Sequence, residues 1–98
     1  MNIQAMMKQA QALQKDMMKA KNEIESKDYV GKSSFVTVTV SGNKKIKEIK
    51  IDNDSLDKEE VDMLQDMLVV AINDAMNQID KETEDKLGKY TKNMPGLF

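Results

Sequence analysis

Residues 33–41 read Ser33-Ser34-Phe35-Val36-Thr37-Val38-Thr39-Val40-Ser41, and this stretch decides the fold. Alternation with a period of two puts Val36, Val38 and Val40 on one face of a β-strand, with Phe35, Thr37 and Thr39 on the other. Ser41-Gly42-Asn43-Lys44 follows as a turn signal, because Gly and Asn both tolerate positive φ. From Lys45 to Asp52 the alternation resumes, with Ile49 and Ile51 inward and Lys50 outward. Ile46 is out of phase with that pair, which points to a bulge or to a strand half-covered on its second face. Upstream, Asp28-Tyr29-Val30-Gly31-Lys32 is a weaker third strand, and its short link to Phe35 implies an antiparallel meander.

The period changes on both sides of this sheet. Ile3, Met6, Ala10, Leu13, Met17, Ala20 and Ile24 form an unbroken heptad a/d pattern without internal Gly or Pro. A helix over about residues 2–26 is about 37 Å long, more than a small sheet covers. Part of it is expected to project as an arm or to pair with another chain. After the sheet, Asp57-Lys58-Glu59-Glu60 fits a capping box with Asp57 as N-cap, and acids crowd the first turn, where the helix dipole favours them. Val61, Leu64, Leu68, Ile72, Ala75 and Ile79 mark one face of a helix that reaches about Lys89, with Asn93-Met94-Pro95-Gly96 as a terminal breaker. Within it, Met67-Leu68-Val69-Val70-Ala71-Ile72 is apolar all round. A helix buried on every side needs more than one packing partner, so a homodimer with Leu68, Val70 and Ile72 in its interface is expected. The chain thus reads as one α+β domain over residues 1–98. A long helix (about 2–26) is followed by a three-stranded antiparallel sheet (about 28–52), a second long helix (about 57–89) and a tail (90–98).

Composition narrows the function. The chain has 98 residues, a net charge of −2, and no Cys, His or Trp; all 15 of its basic residues are Lys. Without Cys or His there is no thiolate nucleophile, no zinc–thiolate site, and neither the commonest general base nor the commonest metal ligand. No apolar run approaches the roughly 18 residues of a membrane span, and the N-terminus lacks the pattern of a secretory signal. A small cytoplasmic protein is expected, with no catalysis, no cofactor, no small-molecule substrate and no membrane.

The charge is segregated. Lys8, Lys15, Lys19 and Lys21 stand against one acid, Asp16; Lys32, Lys44, Lys45, Lys47 and Lys50 stand against Glu48. Residues 52–66 carry seven acids and only Lys58, and Lys81, Lys86, Lys89 and Lys92 mix with Glu82, Glu84 and Asp85 near the end of the last helix. A phosphate backbone responds to the local patch rather than to the sum. Lys8 and Lys15 are seven apart, hence on one helix face opposite the apolar seam. Lys8, Lys15, Lys19 and Lys21, with Lys86, Lys89 and Lys92, are therefore the candidate contacts to double-stranded DNA. With no Arg for bidentate guanine readout and few aromatics for stacking, binding should be backbone-driven. A reading from another class makes the exposed helix seam a docking surface for a protein partner, with the lysines conferring only solubility.

Other motifs reduce to local structure. Gly31-Lys32-Ser33 resembles the end of a P-loop, but the first Gly of that motif would fall at Ser26, and the helix precedes the strand. Asp52-Asn53-Asp54-Ser55-Leu56-Asp57 resembles a calcium loop, but its sixth position is Asp57 rather than Gly and its twelfth is Met63 rather than Glu. Met6, Met17 and Met67 sit at helical core spacing and read as core filling.

The order of elements, with its local sequences, resembles the YbaB/EbfC family of nucleoid-associated proteins. The matching segments are Met6-Met7-Lys8-Gln9-Ala10-Gln11, Val36-Thr37-Val38-Thr39-Val40-Ser41-Gly42, Ile49-Lys50-Ile51-Asp52, Ala71-Ile72-Asn73-Asp74-Ala75 and Met94-Pro95-Gly96-Leu97-Phe98. The resemblance implies a small bacterial homodimer of α-β-β-β-α type. Two-fold pairing would put the sheets at the centre and the long helices out as tweezer-like arms. It also implies duplex DNA binding in the nucleoid, a DNA-organising or regulatory role, and no catalysis.

Overall fold

The structure, a computed structural model, describes residues 2–93, with side chains as far as Tyr90. Its elements are α1 (Ile3–Glu25), β1 (Asp28–Ser33), β2 (Val36–Ser41), β3 (Ile46–Ile51) and α2 (Lys58–Asn93). The strands form an antiparallel meander in the order β1-β2-β3. The fold is therefore α+β with the α-β-β-β-α order read from the period changes. One boundary moves: α2 continues to Asn93 instead of giving way to a tail at residue 90. Leu87 and Tyr90 are buried in the same cluster as Met17, so the last turns of α2 have an apolar partner. Residues 94–98, the rest of the expected tail, lie outside the described residues.

Helix α2 crosses β1 and β2. Pairing sets Tyr29 opposite Val40, Gly31 opposite Val38 and Ser33 opposite Val36. Val36, Val38 and Val40 are fully buried, as are Ala71 and Ala75 of α2, with Ile79 close behind. The helix sits low on the sheet because small residues meet there. A Cβ on Gly31 would stand 1.9 Å from the Ala71 carbonyl oxygen. That contact, and not a phosphate, accounts for the glycine of Gly31-Lys32-Ser33. Polar groups of α2 also finish the β1 edge: the Lys32 N–H donates to Asp74 Oδ2 at 3.1 Å, and Gln78 Nε2 donates to the Val30 carbonyl at 2.8 Å. An edge strand left with such groups unpaired is a template for unwanted pairing.

The phase break at Ile46 is a bulge. Thr39 pairs with Glu48 but Val40 pairs with Ile46, so Lys47 is the extra residue on β3. The bulge returns Ile46 to the face of Ile49 and Ile51, which is the face of the β2 valines. Yet every residue of β3 is exposed, because α2 lies over β1 and β2. The β2–β3 turn differs from its sequence reading. The positive φ falls on Lys44, at 66°, rather than on Gly42 or Asn43. Gly42 is required for space: a Cβ there would lie 1.7 Å from the Ile24 carbonyl oxygen at the end of α1.

The N-cap of α2 forms at Asp57, whose Oδ1 accepts the Glu60 N–H at 2.9 Å. The reciprocal half of the expected capping box does not form, since the Glu60 carboxylate takes the Asn53 amide at 2.8 Å instead. These bonds, with the Ser55 N–H donating to Asn53 Oδ1 at 3.1 Å, occupy the loop that mimics a calcium site. At the other end, α1 runs back antiparallel to α2, with Ile24 beside Ile79 and Leu87. The described chain extends 71 × 20 × 15 Å with a radius of gyration of 19.3 Å, against about 13 Å for a compact domain of this length.

Candidate nucleic-acid interface

Asn2 caps α1: its Oδ1 accepts the Gln4 N–H at 3.0 Å and, more weakly, the Ala5 N–H at 3.4 Å. Every residue from Asn2 to Asp16 is exposed. The heptad seam is therefore used along only part of its length. Met17 and Ile24 are buried and Ala20 partly so, whereas Ile3 is 71% exposed, and Met6, Ala10 and Leu13 are also exposed. The N-terminal half of α1 is an arm that projects beyond the sheet.

Lys8, Lys15 and Lys19 lie on the back of this arm. At about 100° per residue they project within about 20° of the direction opposite Met17. They span about 16 Å along the axis. None of the three forms an ion pair among the described residues. Lys21 falls about 40° from Met17, on the seam side; it is half-buried, with its Nζ 3.9 Å from Glu25.

The candidates on α2 are placed differently. Lys86 Nζ lies 2.9 Å from Glu82 Oε1. Glu82 is the hub of a network that sequence reasoning passed over. It accepts a short hydrogen bond from the Tyr29 hydroxyl and pairs with Lys27 at 3.2 Å. These donors hold the Glu82 carboxyl down to about 2, the Tyr29 hydroxyl foremost and Lys86 next, against the opposing effect of burial. Burial, then the bond to Glu82 and its charge, push the Tyr29 phenol up to about 12. Lys86 has its pKa raised, chiefly by its hydrogen bond to Glu82. The network ties the exit of α1 and the start of β1 to α2, and so fixes the base of the arm. Lys89 Nζ sits 5.0 Å from the Tyr90 ring centroid, a cation–π contact. The Lys92 side chain lies outside the described residues. The structure thus groups Lys8, Lys15 and Lys19 and engages Lys21 and Lys86 elsewhere. In the turn and on β3, Lys44 pairs with Asp80 at 2.9 Å, Lys47 with Asp28 at 2.9 Å and Lys50 with Asp52 at 3.9 Å.

A second surface is apolar. Ile46, Ile49 and Ile51 form an uncovered ledge on the helix side of the sheet. Of the three residues expected at a dimer interface, Leu68 and Ile72 are partly buried on their own core, while Val70 is 54% exposed and its neighbour Val69 is 58% exposed. The stretch that is apolar all round is thus covered on one side only within a single chain. Among the described residues, no cluster of His, Cys, Asp and Glu could hold a metal ion, and no helix is long and apolar enough to cross a membrane.

Comparison with known proteins agrees with this architecture. The sequence profile of the YbaB/EbfC DNA-binding family matches residues 1–94. A nucleoid-associated protein of Enterococcus faecalis is 48% identical over 98% of this chain and 94% of its own length. One from Lactococcus lactis subsp. cremoris is 50% identical over 97% of this chain and 98% of its own. In fold, the chain is similar to the crystal structure of an uncharacterized protein from Helicobacter pylori, with a TM-score of 0.70 over 98% of this chain and 99% of that one, at 21% identity. By profile and by relatives alike, the chain belongs to the YbaB/EbfC DNA-binding family.

Proposed function

We propose that this protein binds duplex DNA as a homodimer, through lysine contacts to the phosphate backbone, and organises DNA or regulates its use in the cytoplasmic nucleoid. The observation that carries the reading is the strip of Lys8, Lys15 and Lys19 on the exposed back of α1, the first two on its bare arm, in a chain of a DNA-binding family. Lys21, Lys86, Lys89 and Lys92 stand behind these three as contacts. Ammonium groups spaced along about 16 Å of helix meet phosphates without reading bases. The relatives named above carry the description nucleoid-associated protein, which fits this role. The chain acts as one domain over residues 1–98, without catalysis or cofactor.

The homodimer is supported by the ledge of Ile46, Ile49 and Ile51 and by exposed Val69 and Val70, an apolar area that a single chain leaves in water. Two-fold pairing across it, with Leu68, Val70 and Ile72 at the contact, gives two arms per particle, as in tweezers. A second reading, a protein-docking module without nucleic acid, is favoured by the exposed seam of Ile3, Met6, Ala10 and Leu13. A mobility shift of linear duplex that weakens with salt, together with a sedimenting dimer, supports the first reading. Partner capture without any shift at low salt supports the second.

A further inference from the structure

The arm carries a pattern that phosphate binding does not use. Residues 4–8 are Gln-Ala-Met-Met-Lys and residues 11–15 are Gln-Ala-Leu-Gln-Lys. Gln4, Ala5 and Lys8 thus recur as Gln11, Ala12 and Lys15. Seven residues are almost two helical turns, so the two triplets fall on one face about 10.5 Å apart. That face is the back of the arm: the lysines run down its centre, with Gln4 and Gln11 on one flank and Ala5 and Ala12 on the other. All six residues are exposed. The side-chain amides of Gln4 and Gln11 bond to no described residue.

Each of these residue types has a counterpart in the major groove. A carboxamide is the bidentate match for adenine, accepting from N6 and donating to N7, and an alanine methyl packs on the C5-methyl of thymine. An A·T pair shows both groups on the same edge. Guanine would call for Arg or Lys; the chain has no Arg, and Lys8 and Lys15 are the phosphate contacts of the reading above. Shape agrees with chemistry. A helix about 10–12 Å across enters a groove about 12 Å wide, provided its own protein leaves it bare, as here from Asn2 to Asp16. A step of about 10.5 Å is about three base pairs.

We propose that the α1 arm lies in the major groove and favours A·T pairs at two positions about three base pairs apart. Gln4 and Gln11 bond adenine edges, Ala5 and Ala12 meet thymine methyls, and Lys8 and Lys15, whose long stems start between them, extend sideways to the phosphates along the groove walls. This rests on the duplex-binding reading above and adds base preference to it.

The test compares linear duplexes of equal length at one salt concentration: an A·T-rich duplex, the same with 7-deazaadenine in place of adenine, and a G·C-rich duplex. The wild type is expected to bind the A·T-rich duplex about fivefold or more tightly than the G·C-rich one. Removal of adenine N7 and the Gln4→Ala/Gln11→Ala substitution should each cut that factor to the part the thymine methyls supply, and together do no more than either alone. The salt slope should be unchanged by the Gln substitutions, because no cation is lost. Alanine favours the helix, and circular dichroism verifies that the variant is folded; the 7-deazaadenine duplex tests the wild-type protein independently. Equal binding of the A·T-rich and G·C-rich duplexes, or a preference that both changes leave undiminished, would overturn the groove assignment and leave backbone-driven binding standing. Absence of binding to every duplex at low salt would overturn the duplex reading as well.

Discussion

If Lys8, Lys15 and Lys19 are the phosphate contacts, the salt dependence of binding follows from their number. Three unpaired lysines per arm and two arms per dimer neutralise about six phosphates, so log K should fall against log salt with a slope of about −5. Between 50 and 200 mM salt the affinity should then drop by about a thousandfold. Replacing Lys8 and Lys15 by Gln leaves one such lysine per arm. The slope becomes about −2, and the same salt change weakens binding only about tenfold. Both sites are exposed and free of ion pairs among the described residues, so the fold should be untouched. Fluorescence anisotropy on a labelled linear duplex at several salt concentrations measures the slope. Lys44→Gln/Lys45→Gln is the control, because Lys44 is already paired with Asp80. An unchanged slope in the arm variant, with the loss appearing in the turn variant instead, would refute the arm assignment and move the contact to the basic stretch at residues 32–50.

Four further outcomes rest on the packing. The Tyr29–Glu82 bond should contribute about 2 kcal/mol to folding, as a hydrogen bond to a charged group. The Glu82 carboxyl is lowered to about 2, so this contribution is complete above about 4.5 and fades as pH falls toward 2. Tyr29 is raised to about 12, so it also fades as pH climbs from about 10; Tyr29→Phe should flatten both limbs in urea melts taken across pH. Gly31→Ala should destabilise by about 3 kcal/mol or prevent folding, since its Cβ meets helix backbone. Gly88→Ala, whose Cβ first meets the movable Glu84 side chain, should stabilise by about 1 kcal/mol in thermal melts. Val70→Asp places a carboxylate at a site 54% exposed within one chain, so it should yield a folded monomer by sedimentation and circular dichroism; a variant that stays dimeric would remove Val70 from the interface.

Much of the fold is legible because its signals are local. The valine alternation, the heptad and the Asp57 cap each act within a few residues, and Ile46 announced its bulge by falling out of phase. The arm was legible as an excess of helix over sheet. What the sequence hides depends on distant segments meeting. Gly42 reads as turn chemistry and Gly31 as the end of a phosphate loop, yet both are fixed by backbone passing overhead, from Ile24 and Ala71 respectively. The bond between Tyr29 and Glu82 joins residues 53 positions apart. Other features are local and visible in the sequence itself. Lys21 with Glu25, and Lys86 with Glu82, stand four residues apart on helices, a spacing that pairs them and weakens their claim on a ligand phosphate. The Gln-Ala-x-x-Lys repeat shares the seven-residue period of the heptad and lies on the face opposite the apolar seam.

The same geometry explains why an acidic chain can offer a cationic arm. The acids of residues 52–66 gather at the N-terminal end of α2, where Glu59 and Glu60 also favour the helix dipole. Helix α2 is 36 residues long, or about 54 Å, and the α1 arm projects beyond its opposite end. The Debye length at physiological ionic strength is about 8 Å. The acidic end is several such lengths from Lys8 and subtracts almost nothing from the potential there. On the proposed reading, a duplex approaching the arm meets Lys8, Lys15 and Lys19, and the net charge of −2 acts only as a distant background. The acids do act on whatever approaches the other end, where they repel phosphate. If the arm is the contact, the charge pattern orients the particle before any contact forms, arm toward the duplex and acidic end away from it.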